Sequence, residues 1–197
     1  MKPQFASSLS ALAASALFLA VSSTTANAAD YTWDTTSGDG STITAASGTW
    51  STTGTNWNSA GSNLAWSQLA TGTASHNAIF AGADGNYTIT LSGTNNAQSV
   101  AFNNSGYTLT SGTLTLKPTS ATSGTITVAA GKTATINSIL SYTQNLFADV
   151  TVGAGGTLNL GTSGDAIFDF SGHGTINLAD GTFTNRSLET RNATYGN

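Results

Sequence analysis

The residues suited by type to chemistry are a few carboxylates and two histidines. Asp165 and Asp169 flank Ala166-Ile167-Phe168, four positions apart. On a strand both side chains point to one face, about 13 Å apart along it. Sugar hydrolysis by paired carboxylates needs a separation of about 5 to 9.5 Å. An active pair therefore requires partners from neighbouring segments, for which Asp149 and Asp180 are available. The simpler role for these aspartates is in turns, where their side chains satisfy local backbone groups. His76 and His173 are the only histidines. His173 lies in Ser171-Gly172-His173-Gly174, a turn signal. With Asp169 and Ser171 it supplies the residue types of a Ser/His/Asp triad. Sequence neighbours rarely assemble one, and no Gly-x-Ser-x-Gly elbow surrounds Ser171. Two isolated histidines without a ligand-spaced partner predict no metal site. Gly153 to Gly156 lacks the Gly-Lys-Ser/Thr ending of a phosphate loop, and the calcium-binding nonapeptide is absent. The sequence thus predicts no catalytic residue, no metal ligand and no cofactor, and reads as non-enzymatic.

Binding is the better prospect. All four tryptophans, Trp33, Trp50, Trp57 and Trp66, fall in one polar segment. Exposed, they would stack on sugar rings; buried, they would form a hydrophobic cap, and the cap is the favoured reading. Thr-x-Thr pairs recur at Thr88/Thr90, Thr108/Thr110, Thr113/Thr115, Thr125/Thr127 and Thr133/Thr135. On stacked strands such pairs form a flat hydroxyl array of the kind that orders water in ice-binding solenoids. The plainer explanation is that Thr is a polar residue that favours strands.

The elements that must position these residues are short strands. A phrase of Gly-Thr, aliphatic, small polar, aliphatic recurs at Gly112–Leu116, Gly124–Val128, Gly156–Leu160 and Gly174–Leu178, with weaker copies at Lys132 and Gly181. Each copy is a turn residue followed by a period-two strand with one apolar face. The intervals between the clear copies are 12, 32 and 18 residues, so successive copies need not occupy one face of a coil. Further strands are predicted at Tyr87–Leu91, Ser99–Phe102, Tyr107–Thr110, Ala134–Leu140, Asp149–Val152 and Ala166–Phe170. Shorter ones are predicted around Trp50, Trp57 and Ala65-Trp66-Ser67, with Ala78-Ile79-Phe80 following. Ser138 to Phe147 is the one stretch with room for a helical turn. Repeated strands without intervening helices predict an all-β solenoid. The fold expected is a right-handed parallel β-helix with a Trp-rich N-terminal cap, the alternative being an antiparallel β-sandwich. The organisation follows: residues 1–28 a signal peptide, 29–85 the cap and first strands, 86–184 the solenoid repeats, and 185–197 a polar tail or truncated junction.

Export is read from the N-terminus. Met1-Lys2 precedes an apolar stretch from Ala11 to Val21, then the small-x-small pattern Ala26-Asn27-Ala28. This is the layout of a secretory signal peptide, and the mature chain is expected to begin near Ala29 or Asp30. The apolar core is shorter than the roughly 20 residues of a membrane span, so no transmembrane segment is expected in the mature chain. Charged residues make up only 7% of the sequence. The basic residues after the leader are Lys117, Lys132, Arg186 and Arg191. That scarcity argues against nucleic acid and anionic lipid as partners. The absence of cysteine excludes a disulfide scaffold and a thiol nucleophile.

Tyr31-Thr32-Trp33-Asp34, Gly48-Thr49-Trp50, Asn56-Trp57, Trp66, Ala78-Ile79-Phe80 and Tyr87–Leu91, followed by Ala97–Phe102 and Gly106–Leu109, resemble the start of autotransporter-type passengers. More narrowly, the chain is similar to bacterial proteins built on the autotransporter-associated β-strand repeat. The resemblance implies an exported β-helical passenger at the cell surface or outer membrane, with a structural or adhesive role, as an adhesin contacting surface glycans or neighbouring β-solenoids. Family members are longer and often end in an outer-membrane barrel. No series of alternating strands of about 10 residues marks one here, which makes this chain a truncated passenger or a short secreted relative. The alternative function is a carbohydrate-binding or polysaccharide-degrading β-helix fragment, with an ice-binding solenoid as a minor one.

Overall fold

Alternation of β-branched or aliphatic residues with Thr, Ser and Asn gives each segment one face to bury and one to leave in water. A computed structural model describes residues 28–68, 75–118, 123–142, 148–161, 174–178 and 180–185. There the segments form a parallel β-solenoid without helix. The first, incomplete coil contains β1 (Asp30–Trp33) and β2 (Gly48–Trp50), followed by a hairpin of β3 (Trp57–Ser59) and β4 (Ser62–Leu64). Three complete coils follow: β5 (Asn77–Phe80), β6 (Tyr87–Leu91) and β7 (Thr94–Ala97); β8 (Ser99–Phe102), β9 (Tyr107–Thr110) and β10 (Thr113–Leu116); β11 (Gly124–Val128), β12 (Thr133–Ile136) and β13 (Ile139–Tyr142). β14 (Ala148–Val152) with β15 (Thr157–Leu160), and β16 (Gly174–Leu178) with β17 (Thr182–Asn185), extend two of the three faces.

The strands stack into three sheets. The first runs β16-β14-β11-β8-β5-β1-β3-β4, the second β17-β15-β12-β9-β6-β2, and the third β13-β10-β7. Every pairing between coils is parallel, which excludes the sandwich. Only the hairpin pairs antiparallel, β3 against β1 and β4 against β3. Its Ala60-Gly61 turn has both residues at positive φ, 52° and 81°, the geometry of a type I′ turn.

The register aligns like with like. In the first sheet Ala78, Val100, Ile126 and Val150 form one inward column, and Phe80 sits beside Phe102 in the next. The Phe80 and Phe102 rings stack at 5.1 Å and 12°. In the second sheet Ile89, Leu109, Ile136 and Leu160 follow one another inward. All of these side chains are buried. The corners are tight. Gly106, at φ 96°, packs so close to the Gly85 carbonyl that a Cβ there would collide with it.

The Gly-Thr phrase does not mark one face. It opens β10 in the third sheet, β11 and β16 in the first, and β15 and β17 in the second. The 12-residue spacing between Gly112 and Gly124 is thus the step from one face to the next, and the irregular intervals reflect the corners between them. Several strands differ from expectation. Ala134–Leu140 is not continuous, because a corner at Asn137-Ser138 separates β12 from β13. The latter occupies part of the stretch given room for a helical turn. β4 ends at Leu64, leaving Trp66 on the following loop. β7 went unpredicted because Thr-Asn-Asn-Ala has no apolar alternation; its inward Asn95 is buried where Leu114 and Leu140 sit in the neighbouring coils. The segment up to Asn27 that is read as a signal peptide, the strand expected at Ala166–Phe170 and residues 186–197 lie outside the described residues.

Candidate interaction face

The inward alternation leaves a second set of columns facing out. On the second sheet Thr88, Thr108, Thr135 and Asn159 occupy one register position through four successive coils. Thr90 and Thr110 begin a parallel column beside it. Columns formed in this way step by about 4.8 Å from strand to strand, and alternate residues along a strand lie about 6.7 Å apart. Thr88 and Thr90 are exposed, and Thr108, Thr110 and Thr135 are half-buried. The threonine run stops at Asn159, so the hydroxyl lattice is interrupted.

The first sheet carries a different outward column: Asp30, Asn77, Ser99, Thr125 and Asp149. Its first members bond to one another. Asn77 Nδ2 donates to Asp30 Oδ1 at 2.7 Å, and Ser99 Oγ donates to Asn77 Oδ1 at 2.7 Å. At a corner Asp84 accepts from Ser105 N, Asn104 Nδ2 and Lys132 Nζ, joining three coils. These donors, the Ser105 amide foremost, hold the Asp84 carboxyl down at about 2. The Lys132–Asp84 pair, 2.9 Å apart, is the single ion pair among the described residues. The outer faces therefore present hydroxyls and amides with little fixed charge.

The tryptophans lie elsewhere. Trp33, Trp50, Trp57 and Trp66 are each 0% exposed. Trp57 meets Trp33 at 5.2 Å, Trp50 at 4.8 Å and Trp66 at 4.7 Å, and Phe80 at 5.6 Å links the cluster to the coils. Stacking on a sugar requires an open ring face, and none of the four has one. Assignment of these rings as a glycan platform is corrected by their burial: they plug the first coil. Trp33 Nε1 donates to Ala46 O and Trp66 Nε1 to Asn96 O, whereas Trp50 and Trp57 Nε1 find no partner among the described residues. Buried Asp34, undistinguished in the sequence, ties the plug together. Its carboxylate accepts from Thr36 N, Thr44 N and Asn58 Nδ2.

His76 is held by two partners. Ser67 Oγ lies 2.7 Å from its Nε2, and the Ala29 N–H donates to its Nδ1 at 3.1 Å. Since Nδ1 accepts, the hydrogen of the neutral ring sits on Nε2 and is donated to Ser67. A serine nucleophile needs the opposite arrangement, with Nε2 accepting the hydroxyl proton. Burial lowers the His76 pKa and favours this neutral form. Asp149 projects from the outer face of β14, and Asp180 lies in an exposed turn at φ 55°. Asp165, Asp169, Ser171 and His173 lie outside the described residues. Among the described residues no group of three metal-ligating side chains forms, and no helix is long and apolar enough to cross a membrane. No family model matches the chain, and no match is found among curated proteins or solved structures.

Proposed function

We propose that the chain is an exported, non-enzymatic β-solenoid with a structural or adhesive role at a bacterial cell surface, of the autotransporter-passenger type. The observation that carries this reading is the in-register polar column from Thr88 to Asn159. Each coil adds a hydroxyl or amide at fixed spacing to a face held by the backbone ladder beneath it. Threonine hydroxyls both donate and accept, as sugar hydroxyls do. A glycan chain or the face of a neighbouring solenoid can therefore be met by many weak, repeated hydrogen bonds. The leader layout of Met1-Lys2, Ala11 to Val21 and Ala26-Asn27-Ala28 supports export. The resemblance of the Trp-rich opening to autotransporter passengers supports the surface location.

A triple variant, Thr88→Val with Thr108→Val and Thr135→Val, removes three hydroxyls from one column and keeps side-chain shape. Hydrogen bonds of about 0.5 to 1.5 kcal/mol each predict at least about tenfold weaker binding. The measurements are retention on immobilised bacterial surface polysaccharides and self-association by analytical ultracentrifugation. The expected result is that the unmodified protein binds or associates and the variant does so at least about tenfold less. A protein that does neither, or a variant indistinguishable from it, overturns the proposal.

A further inference from the structure

The hydrogen-bonded ladder of the described residues opens at Ala29, and every part of that residue is engaged. Its N–H donates to His76 Nδ1 at 3.1 Å, and its carbonyl accepts from Asn77 N–H at 2.9 Å. Its methyl group packs against the buried core. His76 is itself fixed. Ser67 holds its Nε2, and the Tyr31 and Trp66 rings lie 4.4 Å and 5.9 Å from the imidazole. The ring therefore presents an unprotonated, nearly buried acceptor to the nitrogen of Ala29. The small-x-small pattern Ala26-Asn27-Ala28 independently marks the bond immediately before that nitrogen.

We infer that the Ala28–Ala29 bond is the processing site of this chain, and that His76 with Ser67 forms a receptor for the α-amino group which cleavage creates at Ala29. The inference rests on the export reading above. The reaction is hydrolysis by a leader peptidase. Water adds across the amide, the C–N bond breaks, Ala28 leaves as a carboxylate, and the Ala29 nitrogen takes up both protons of the water to become an ammonium. An α-amino group has an ordinary pKa of about 7.7 to 8.0, so near neutral pH it is largely an ammonium. It then gives His76 Nδ1 a charge-assisted hydrogen bond where the uncut chain gives it a neutral one. Cleavage one residue later, before Asp30, would discard both bonds of Ala29 and leave His76 Nδ1 and the Asn77 N–H without these partners. The fold thus separates two start points that the sequence leaves adjacent.

The test is expression of the full chain in a Gram-negative host, followed by intact-mass analysis of periplasmic and cytoplasmic fractions. The expected product is a periplasmic chain beginning at Ala29. Its α-amino group should react with an amine-acylating reagent several-fold more slowly in the folded protein than after denaturation. His76→Ala should restore fast labelling. His76→Asn, which keeps an acceptor oxygen near the Nδ1 position, should retain part of the protection and guards against a misfolded alanine variant. A periplasmic chain beginning at Asp30 or later overturns the inference and leaves the export reading standing. So does an Ala29 terminus that labels as fast folded as unfolded. A chain that keeps Met1 and stays in the cytoplasm overturns both.

Discussion

The segment from β1 to Trp66 and the coils from β5 onward are built on opposite principles. The first segment is held by individual residues. Four indoles and Phe80 interlock in one cluster, and Asp34, Asn58 and Asn63 bond the surrounding loop and hairpin into place. No residue there repeats the role of another. The coils are held by repetition, with Val, Ile, Leu or Ala at most inward positions, Phe102 and Tyr107 at others, and mostly Thr, Ser or Asn outward. The contrast follows from geometry. A coil in the middle of the stack is covered on both edges and needs only inward residues that match its neighbours. Among the described residues the first coil has no further coil on its outer side, and that end is filled by bulk and covered by the antiparallel hairpin. Damage to the plug should therefore be large and concentrated, whereas damage to the coils should depend on how the backbone stacks.

The largest effect is expected from Trp57→Ala. Deleting a fully buried aromatic costs about 3 to 5 kcal/mol, read as a lowered urea midpoint. Trp57→Phe should cost far less, because it keeps most of the ring volume and removes an N–H that has no partner among the described residues. In the coils, Gly106→Ala is expected to cost about 3 kcal/mol, from the left-handed backbone and the collision with the Gly85 carbonyl together. An outward Thr108→Val, by contrast, should stay within about 0.5 kcal/mol. If Gly106→Ala proves as mild as Thr108→Val, the corners are not the constraint on stacking.

A gain is expected at the hairpin. Ala60 occupies a positive-φ position of the Ala60-Gly61 turn, where asparagine is better tolerated. Ala60→Asn should stabilise by roughly 0.5 kcal/mol, seen as a higher thermal midpoint.

Acid should separate the two regions in order. Burial lowers the His76 pKa, so the unfolded chain takes the proton first. The plug loses stability as pH falls below the ordinary imidazole value of about 6.5, until the folded ring is also protonated. Asp84 is held down at about 2. Its stabilisation is fully present above the ordinary carboxylate value and is lost as pH falls toward 2, and salt should weaken it because the pair is exposed. Region-resolved hydrogen exchange from pH 7 to 2 checks this: protection around Tyr31 and His76 should fall before protection around Asp84 and Lys132.

Much of the solenoid is legible in the sequence because its strands are local, period-two patterns. Tyr87–Leu91, Ser99–Phe102 and Tyr107–Thr110 are strands with the bounds that alternation gives them. What alternation cannot supply is the assignment of strands to faces. The same Gly-Thr phrase opens strands in all three sheets, because all three present the same inside and outside. β7 escapes because Asn95 stands where an apolar residue would complete the pattern. The burial of the tryptophans was foreseeable from their clustering, since a single polar segment with four indoles has few other ways to shield them. The role of Asp34 was not, because its partners at Thr44 and Asn58 come from 10 and 24 residues away. The contact of His76 with Ala29 spans 47 residues and left no local signal.

The most direct test of the plug-and-coil account is acrylamide quenching of the four tryptophans in the native protein, with and without added oligosaccharides. The account predicts blue-shifted emission, quenching several-fold weaker than in the urea-unfolded chain, and no change on adding sugar. Emission at the wavelength of solvated indole, with at least one tryptophan freely quenched and then protected by a sugar, would contradict it.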